Sequence, residues 1–351
     1  MSTRGRWLVV MFGVGMVFVV GCTVYMQKTT YNSSIPVAKE KKSQLHASAT
    51  GNASPVAVSV TARVIALRSL EAIKHSRIPL TDRVRLACGT FQDILKGPAP
   101  DAAARQRVLA YKTRLHLLFS GVVRDVLYCS IPKVANTSLK KLLLTLDESH
   151  NGRYTENTLH SYVKTALAVP QLLRHGKTSL SQVESAFKVM FVRHPFERLV
   201  SFFQDKGRRG TKTGNYYYRT YWNRLMKRLR GAREVDTLKS MLTFREFVHL
   251  LLETSPKQYD LHWQLYSDRC APCTVQYDLV GTFDDLPDFY RLLGRDYTNW
   301  ENKGPSNTAN DTLYHFSQLS RSAVMSLYRV YFKDFLLFGY SVEPYLDVAQ
   351  P

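Results

Sequence analysis

Two short stretches concentrate side chains that can hold an anion. Tyr128-Cys129-Ser130-Ile131-Pro132-Lys133-Val134-Ala135-Asn136-Thr137-Ser138 offers a lysine, an amide and hydroxyls. Arg193-His194-Pro195-Phe196-Glu197-Arg198-Leu199-Val200-Ser201 offers an arginine fork and a serine hydroxyl, which together can meet one phosphate. Two anion cradles in one chain point to a ligand with acidic groups at both ends.

The elements around these stretches follow from their patterns. Val122 to Cys129 is a β-branched, apolar run and predicts a buried strand. Pro132 breaks it, and Thr137 or Ser138 can cap or enter a helix. Leu139, Leu142, Leu143 and Leu146 then recur at helical spacing. The layout of strand, phosphate loop and helix is that of a P-loop, without its Gly-x-x-x-x-Gly-Lys-Ser/Thr signature, which argues against an ordinary nucleoside triphosphatase. Phe187 to Val192 predicts a second strand, Pro195 a first helical turn, and Leu199, Phe202 and Phe203 the continuing face. A helix N-terminus presents unpaired N–H groups and partial positive charge at each junction. Arg198 is counted with the phosphate set, or else is an exposed partner for Glu197 or Asp205.

The chain here resembles the Golgi carbohydrate sulfotransferases related to the HNK-1 and chondroitin/dermatan enzymes (sulfotransferase family 2). Pro132 to Ser138 is similar to their 5′-phosphosulfate loop, and Phe191 to Ser201 to their 3′-phosphate motif. Phe244-Arg245-Glu246-Phe247-Val248 leading to His262-Trp263 agrees as well. So do Cys270-Ala271-Pro272-Cys273 before Tyr277-Asp278-Leu279-Val280-Gly281, and Asp334 to Tyr340. In order, these cover residues 85–345. The chain departs at Asn136, Ser138 and Leu139, where the family usually carries Cys, Asn and Trp. Asn136-Thr137-Ser138 also spells a glycosylation acceptor; a glycan there would block the loop, so Asn136 is expected to be unmodified.

The resemblance implies the donor 3′-phosphoadenosine 5′-phosphosulfate. Pro132, Lys133, Val134, Ala135, Asn136, Thr137 and Ser138 would hold its 5′ end, and Arg193, Arg198 and Ser201 its 3′-phosphate. Lys133 would neutralise the bridging oxygen. A general base should take the acceptor's proton, and histidine suits that near neutral pH. His262 is the first candidate, as part of the matched His-Trp pattern; His160, between the phosphate motifs, is the second. His194 is expected to position its loop. No metal is needed, and no acidic metal cluster appears in the sequence.

The N-terminus sets the compartment. Trp7 to Met26 is an uncharged stretch of 20 residues, about 30 Å of helix at about 1.5 Å per residue, enough to span a bilayer core. Arg4 and Arg6 before it favour a cytoplasmic tail. The expected organisation is a tail over 1–6, a signal-anchor over 7–26, a stem over 27–65 and a luminal domain over 66–351. A cleaved signal peptide is the alternative. The stem is rich in Ser, Thr, Ala and Lys and carries acceptor sites at Asn32 and Asn52; Asn310 begins a third. Excluding Cys22, an oxidising lumen would leave Cys88, Cys129, Cys270 and Cys273 to pair, and the expected bonds are Cys88–Cys129 and Cys270–Cys273. Zinc is the rival ligand for the Cys-x-x-Cys, without a second pair to complete it.

The formal net charge is +20, and residues 206–233 hold ten Lys or Arg with no Asp or Glu. Tyr216, Tyr217, Tyr218, Tyr221 and Trp222 are interleaved among them. Such a segment attracts polyanions and offers rings to stack. In the cytosol or nucleus it would suit nucleic acid; behind a membrane anchor the available polyanions are acidic glycans, and no nucleic-acid partner is expected. The fold expected is α/β and P-loop-like, a central parallel sheet flanked by helices with the donor at the strands' carboxyl ends, preceded by a transmembrane helix. The expected activity is sulfuryl transfer to a glycan hydroxyl in the Golgi. A non-catalytic luminal glycan-binding protein with the same fold is the rival, motivated by the altered loop.

Overall fold

The computed structural model describes residues 78–95, 116–121, 124–207, 216–231, 241–297 and 308–351, all within the unit Ser54–Pro351. The expected tail, signal-anchor and stem lie outside the described residues, as do the acceptor sites at Asn32 and Asn52. Among the described residues no helix is long and apolar enough to cross a membrane.

A four-stranded sheet runs in the order β1 (Leu117–Ser120), β2 (Val126–Cys129), β3 (Phe187–Phe191), β4 (Leu279–Gly281). β2, β3 and β4 are parallel, with Val126 opposite Phe187 and Met190 opposite Val280. The wholly parallel sheet expected from the sequence is corrected at one edge: β1 is antiparallel to β2, with Leu118 opposite Tyr128. Residues 121–125 alone join these two strands, and a parallel crossover needs a dozen residues or more. Every residue of β1 and β2 is buried, because helices cover the sheet.

The helices that matter for the site are α1 (Leu80–Thr90), α2 (Asn136–Thr145), α3 (Leu159–Ala166), α4 (Pro195–Lys206), α5 (Asn223–Arg230), α6 (Phe244–Glu253), α7 (Tyr266–Cys270) and α8 (Arg321–Phe338). The leucine spacing after the first junction becomes the buried face of α2, with Leu139, Leu142 and Leu143 all in the sheet's core. A second core is rich in aromatic rings and draws on α4, α5, α6 and α8: Phe196, Phe202, Trp222, Phe244, Phe247 and Phe335 are all buried in it. A π-helical stretch, Tyr218–Trp222, leads into α5. Such stretches are rare and recur at functional sites.

The cysteines pair differently from the expectation. The bonds are Cys88–Cys273 and Cys129–Cys270, with Cα atoms 5.3 and 6.0 Å apart. Cys270 ends α7, and Ala271 then takes a left-handed conformation before the one-turn helix Pro272–Val275. This turn sends neighbouring cysteines to separate partners, one on β2 and one on α1. With all four in disulfides, the zinc reading of Cys270 and Cys273 falls away.

Candidate active site

Because β2 and β3 are parallel neighbours, both anion junctions emerge at the same end of the sheet. β2 exits into the loop 130–135 and α2, while β3 exits through Arg193 and His194 into α4. This carboxyl edge is where open α/β sheets bind ligands. In the first loop Lys133 and Ala135 have φ of 72° and 58°, left-handed conformations that glycines supply in P-loops and that cost energy elsewhere. The chain therefore builds the tight turn without the glycine signature. Ala135 is the N-cap of α2 and no side chain caps the helix. Thr137 and Ser138 enter the helix rather than cap it. A helix start without a side-chain cap suits an anion.

Lys133 projects at this loop and is largely buried. Its Nζ lies 2.9 Å from Asp205 Oδ2, and Lys206 Nζ lies 3.1 Å from the same oxygen. Burial lowers the Lys133 pKa; Asp205 opposes that shift, while Lys206 and Arg193 add to it. Lys133 thus feels the arginine of the second junction. Asn136 faces inward: its Oδ1 accepts from Tyr128 OH at 3.0 Å and from Ser130 Oγ at 2.8 Å. Its side chain fastens the loop to β2, and only its backbone stays at the helix start. Pro132, Val134 and Ser138 are buried, while Ala135 and Thr137 are half-buried.

The second junction is held from both sides. The Arg193 backbone N–H donates to Tyr266 OH at 3.1 Å, and that hydroxyl donates back to the Arg193 carbonyl at 3.0 Å. The Arg193 guanidinium donates through Nε to Glu197 at 3.0 Å and lies 5.7 Å from the Phe283 ring centroid. Ser201 follows Glu197, the partner of Arg193, by one turn of α4, so Glu197 and Ser201 share a helix face. Arg198 differs from its expected place. It is 1% exposed and pairs with neither Glu197 nor Asp205. Its guanidinium donates to the carbonyls of Pro132 (3.2 Å), Gln264 (2.7 Å) and Leu261 (3.0 Å), and stacks 4.6 Å from the Tyr266 centroid. Arg198 therefore staples the phosphate loop to the segment carrying His262.

The three histidines occupy distinct settings. His262 Nδ1 lies 2.7 Å from Asp260 Oδ1, which also accepts from the His262 backbone N–H at 3.0 Å and from Tyr217 OH at 3.2 Å. Tyr217 OH also lies 2.7 Å from Nδ1; the tautomer in which Nδ1 donates to Asp260 leaves Nε2 as the acceptor, and Nε2 has no protein partner among the described residues. Burial lowers the His262 pKa, opposed by Asp260 and aided by the charges of Arg198 and Lys133. His160 is exposed on α3, and its Nδ1 meets Lys140 Nζ at 3.2 Å. His160 sits within electrostatic reach of His262 and Lys206, so both candidate bases border one site. His194 caps α4: its Nδ1 accepts from Phe196 N–H, and its Nε2 lies 3.0 Å from the Ser341 carbonyl. Burial among aromatic rings lowers it to about 4, so it is neutral and structural.

Four residues escaped the sequence reading. Asp260 and Tyr217 orient His262, Asp205 holds Lys133, and Arg269 donates to the Ser130 carbonyl at 2.9 Å beneath the loop. Only Asp260 left a local trace, two residues before the histidine. The C-terminal motif acts at a distance: the carboxylate of Asp334, fully buried on α8, accepts from the Tyr266 and Ser267 N–H groups at 2.7 and 2.9 Å. Burial raises it to about 6. A cavity of about 380 Å³ lies away from this chemistry, beside the Cys88–Cys273 bond.

Residues 119–341 match the profile of the Sulfotransferase family. The chain is 31% identical over 239 residues to carbohydrate sulfotransferase 8 of Mus musculus, covering 64% of this chain and 56% of the relative. It is 30% identical over 266 residues to carbohydrate sulfotransferase 11 of Rattus norvegicus, covering 71% and 74%. Carbohydrate sulfotransferase 10 of Xenopus laevis is 29% identical over 250 residues, covering 66% and 69%. The chain thus spans about half the length of the first relative and about three-quarters of the second. No solved structure matches it significantly. With the matched region running from β1 past both anion junctions and the Asp260–His262 pair to the end of α8, the chain belongs to the Sulfotransferase family.

Proposed function

We propose that the protein transfers a sulfuryl group from 3′-phosphoadenosine 5′-phosphosulfate to a hydroxyl of a glycan, as a Golgi enzyme anchored through residues 7–26. One observation carries the reading: two anion junctions share one sheet edge, with a carboxylate-oriented histidine beside the lysine of the first. The residues fit the donor at both ends. The uncapped start of α2 and Lys133 suit the 5′-phosphosulfate; Arg193, with Ser201 one turn beyond its partner Glu197, suits the 3′-phosphate.

The donor, when bound, supplies the sulfuryl group: the acceptor oxygen bonds to sulfur as the bond from sulfur to the 5′-phosphate oxygen breaks. Lys133 and the α2 N–H groups stabilise charge building on that phosphate. His262 Nε2 takes the acceptor's proton, and Asp260 stabilises the resulting imidazolium. His160 remains the second candidate for that role. The buried setting strengthens both contributions, since charges interact more strongly away from water. The acceptor face would be the exposed cations of the π-helical stretch and α5, Arg219, Arg224 and Lys227, next to exposed Tyr216. Tyr217 joins that face to the base, because its hydroxyl contacts Asp260. A glycosaminoglycan or an acidic N- or O-glycan terminus suits this charge. The non-catalytic rival is not favoured, because the altered loop keeps the lysine and the uncapped helix start.

Binding of 3′-phosphoadenosine 5′-phosphate tests the donor assignment without any acceptor. Wild-type protein should bind it about 10-fold or more tighter than adenosine 5′-phosphate, and Arg193→Ala should remove that preference, consistent with losing a charge-assisted contact. Lys133→Ala should weaken both ligands. Equal affinity of wild type for the two nucleotides would refute the two-ended site.

A further inference from the structure

Lys140, on α2, is a lysine buried with no carboxylate partner among the described residues. It is 7% exposed, and its Nζ bonds to His160 Nδ1 at 3.2 Å. Among the described residues no carboxylate pairs with it, whereas the next residue, Lys141, is paired with Glu156. The charges that bear on Lys140 are positive: Arg269 and Lys164 add to burial in lowering it to about 7. Lysine is almost never fully buried unless paired, because an isolated buried ammonium carries a large desolvation cost. His160, in front of it, is exposed and is reached by Lys140, His262, Lys164 and Lys206. When Lys140 is charged, as a bound anion would favour, and donates to Nδ1, the neutral His160 ring carries its proton on Nε2, so lysine and imidazole are then both donors. Among the described residues the cluster lacks an anion, and it borders the proposed transfer site.

We propose that Lys140 and His160, with Lys164 nearby, form an anion subsite for an acidic substituent of the acceptor, a carboxylate or a sulfate ester on a sugar close to the reacting one. The inference rests on the glycan-sulfating reading. The subsite is separate from the donor's two ends, which fall to Lys133 and Arg193. It would make the acceptor's existing charge part of recognition, and it assigns His160 to binding while His262 acts as base.

Thermal melting of the full-length protein in detergent provides the test. The donor site is filled with 3′-phosphoadenosine 5′-phosphate, ionic strength is fixed, and sodium sulfate, sodium glucuronate or uncharged methyl glucoside is titrated. Wild type should show a saturable rise in Tm with an anion and none with the glucoside; the sulfate and glucuronate arms separate an ester from a carboxylate. Lys140→Met should shift the midpoint at least about 10-fold to higher anion, as for a lost charge-assisted contact. It should itself melt no lower than wild type, because it removes an uncompensated buried charge. His160→Asn, a surface change, should weaken the same response and serves if Lys140→Met fails to fold. Lys133→Ala should retain it. An unchanged response in Lys140→Met and His160→Asn, or one lost in Lys133→Ala alone, would overturn the subsite. Failure of the nucleotide to bind would count against the donor reading, and the anion titrations would still report on Lys140.

Discussion

At the residue scale, proton transfer divides the two candidate histidines. His262 has its Nδ1 fixed by Asp260 and its Nε2 open; His160 has its Nδ1 engaged by a lysine. His262→Asn should lower kcat/KM by about 100- to 10,000-fold, the usual worth of a positioned acid–base group, while His160→Asn should act mainly on acceptor KM. The pH profile gives a second handle. Burial lowers the His262 pKa, so the acid limb of kcat/KM should fall below the ordinary histidine value of about 6.5. Asp260 favours the charged ring, so Asp260→Asn should move that limb to still lower pH as well as reduce the rate. An acid limb at or above the ordinary value would contradict the assignment. Lys133, Arg193 and His262 stood out in the sequence by residue type and motif. Asp260, Tyr217 and Asp205 were not, because their value lies in contacts made only on folding. Arg198 misled for the same reason: beside Glu197 in sequence it looks like a surface ion pair, yet the helix turns it inward to three carbonyls.

At the element scale, the strand and helix of each junction followed from apolar runs and helical leucine spacing. The antiparallel edge did not, since a four-residue strand leaves little pattern to orient it. The left-handed Lys133 and Ala135 were also hidden, because no glycine marks them. What keeps these elements in register is Arg198, which spans from α4 to the loop after β2 and the segment before α7. Arg198→Met should leave three carbonyls without donors and cost about 3 kcal/mol or more of stability. Denaturant unfolding would measure it. A variant as stable as wild type, with donor affinity lost, would instead return Arg198 to the binding set.

At the scale of the whole molecule, the disulfides close long stretches of chain: the bonded cysteines are 185 and 141 residues apart in sequence. Such pairing could not be read from spacing, because the Cys-x-x-Cys is split by the left-handed Ala271. Peptide mapping without reduction should recover Cys88–Cys273 and Cys129–Cys270. Replacing both cysteines of the first bond with serine should cost about 2–5 kcal/mol. Disulfides of this kind fit an oxidising lumen, in keeping with the proposed anchor. On the proposed function the basic face would meet acidic glycans, and its charge would speed and strengthen that encounter more than it dictates the fold. The most direct measurement is transfer of radiolabelled sulfate from 3′-phosphoadenosine 5′-phosphosulfate to a panel of desulfated and partly sulfated glycans, by wild type, Lys133→Ala and Arg193→Ala. Labelled product from wild type alone, with all three proteins folded, is the expected result; no transfer by wild type while glycan binding persists, or full transfer by both variants, would contradict it.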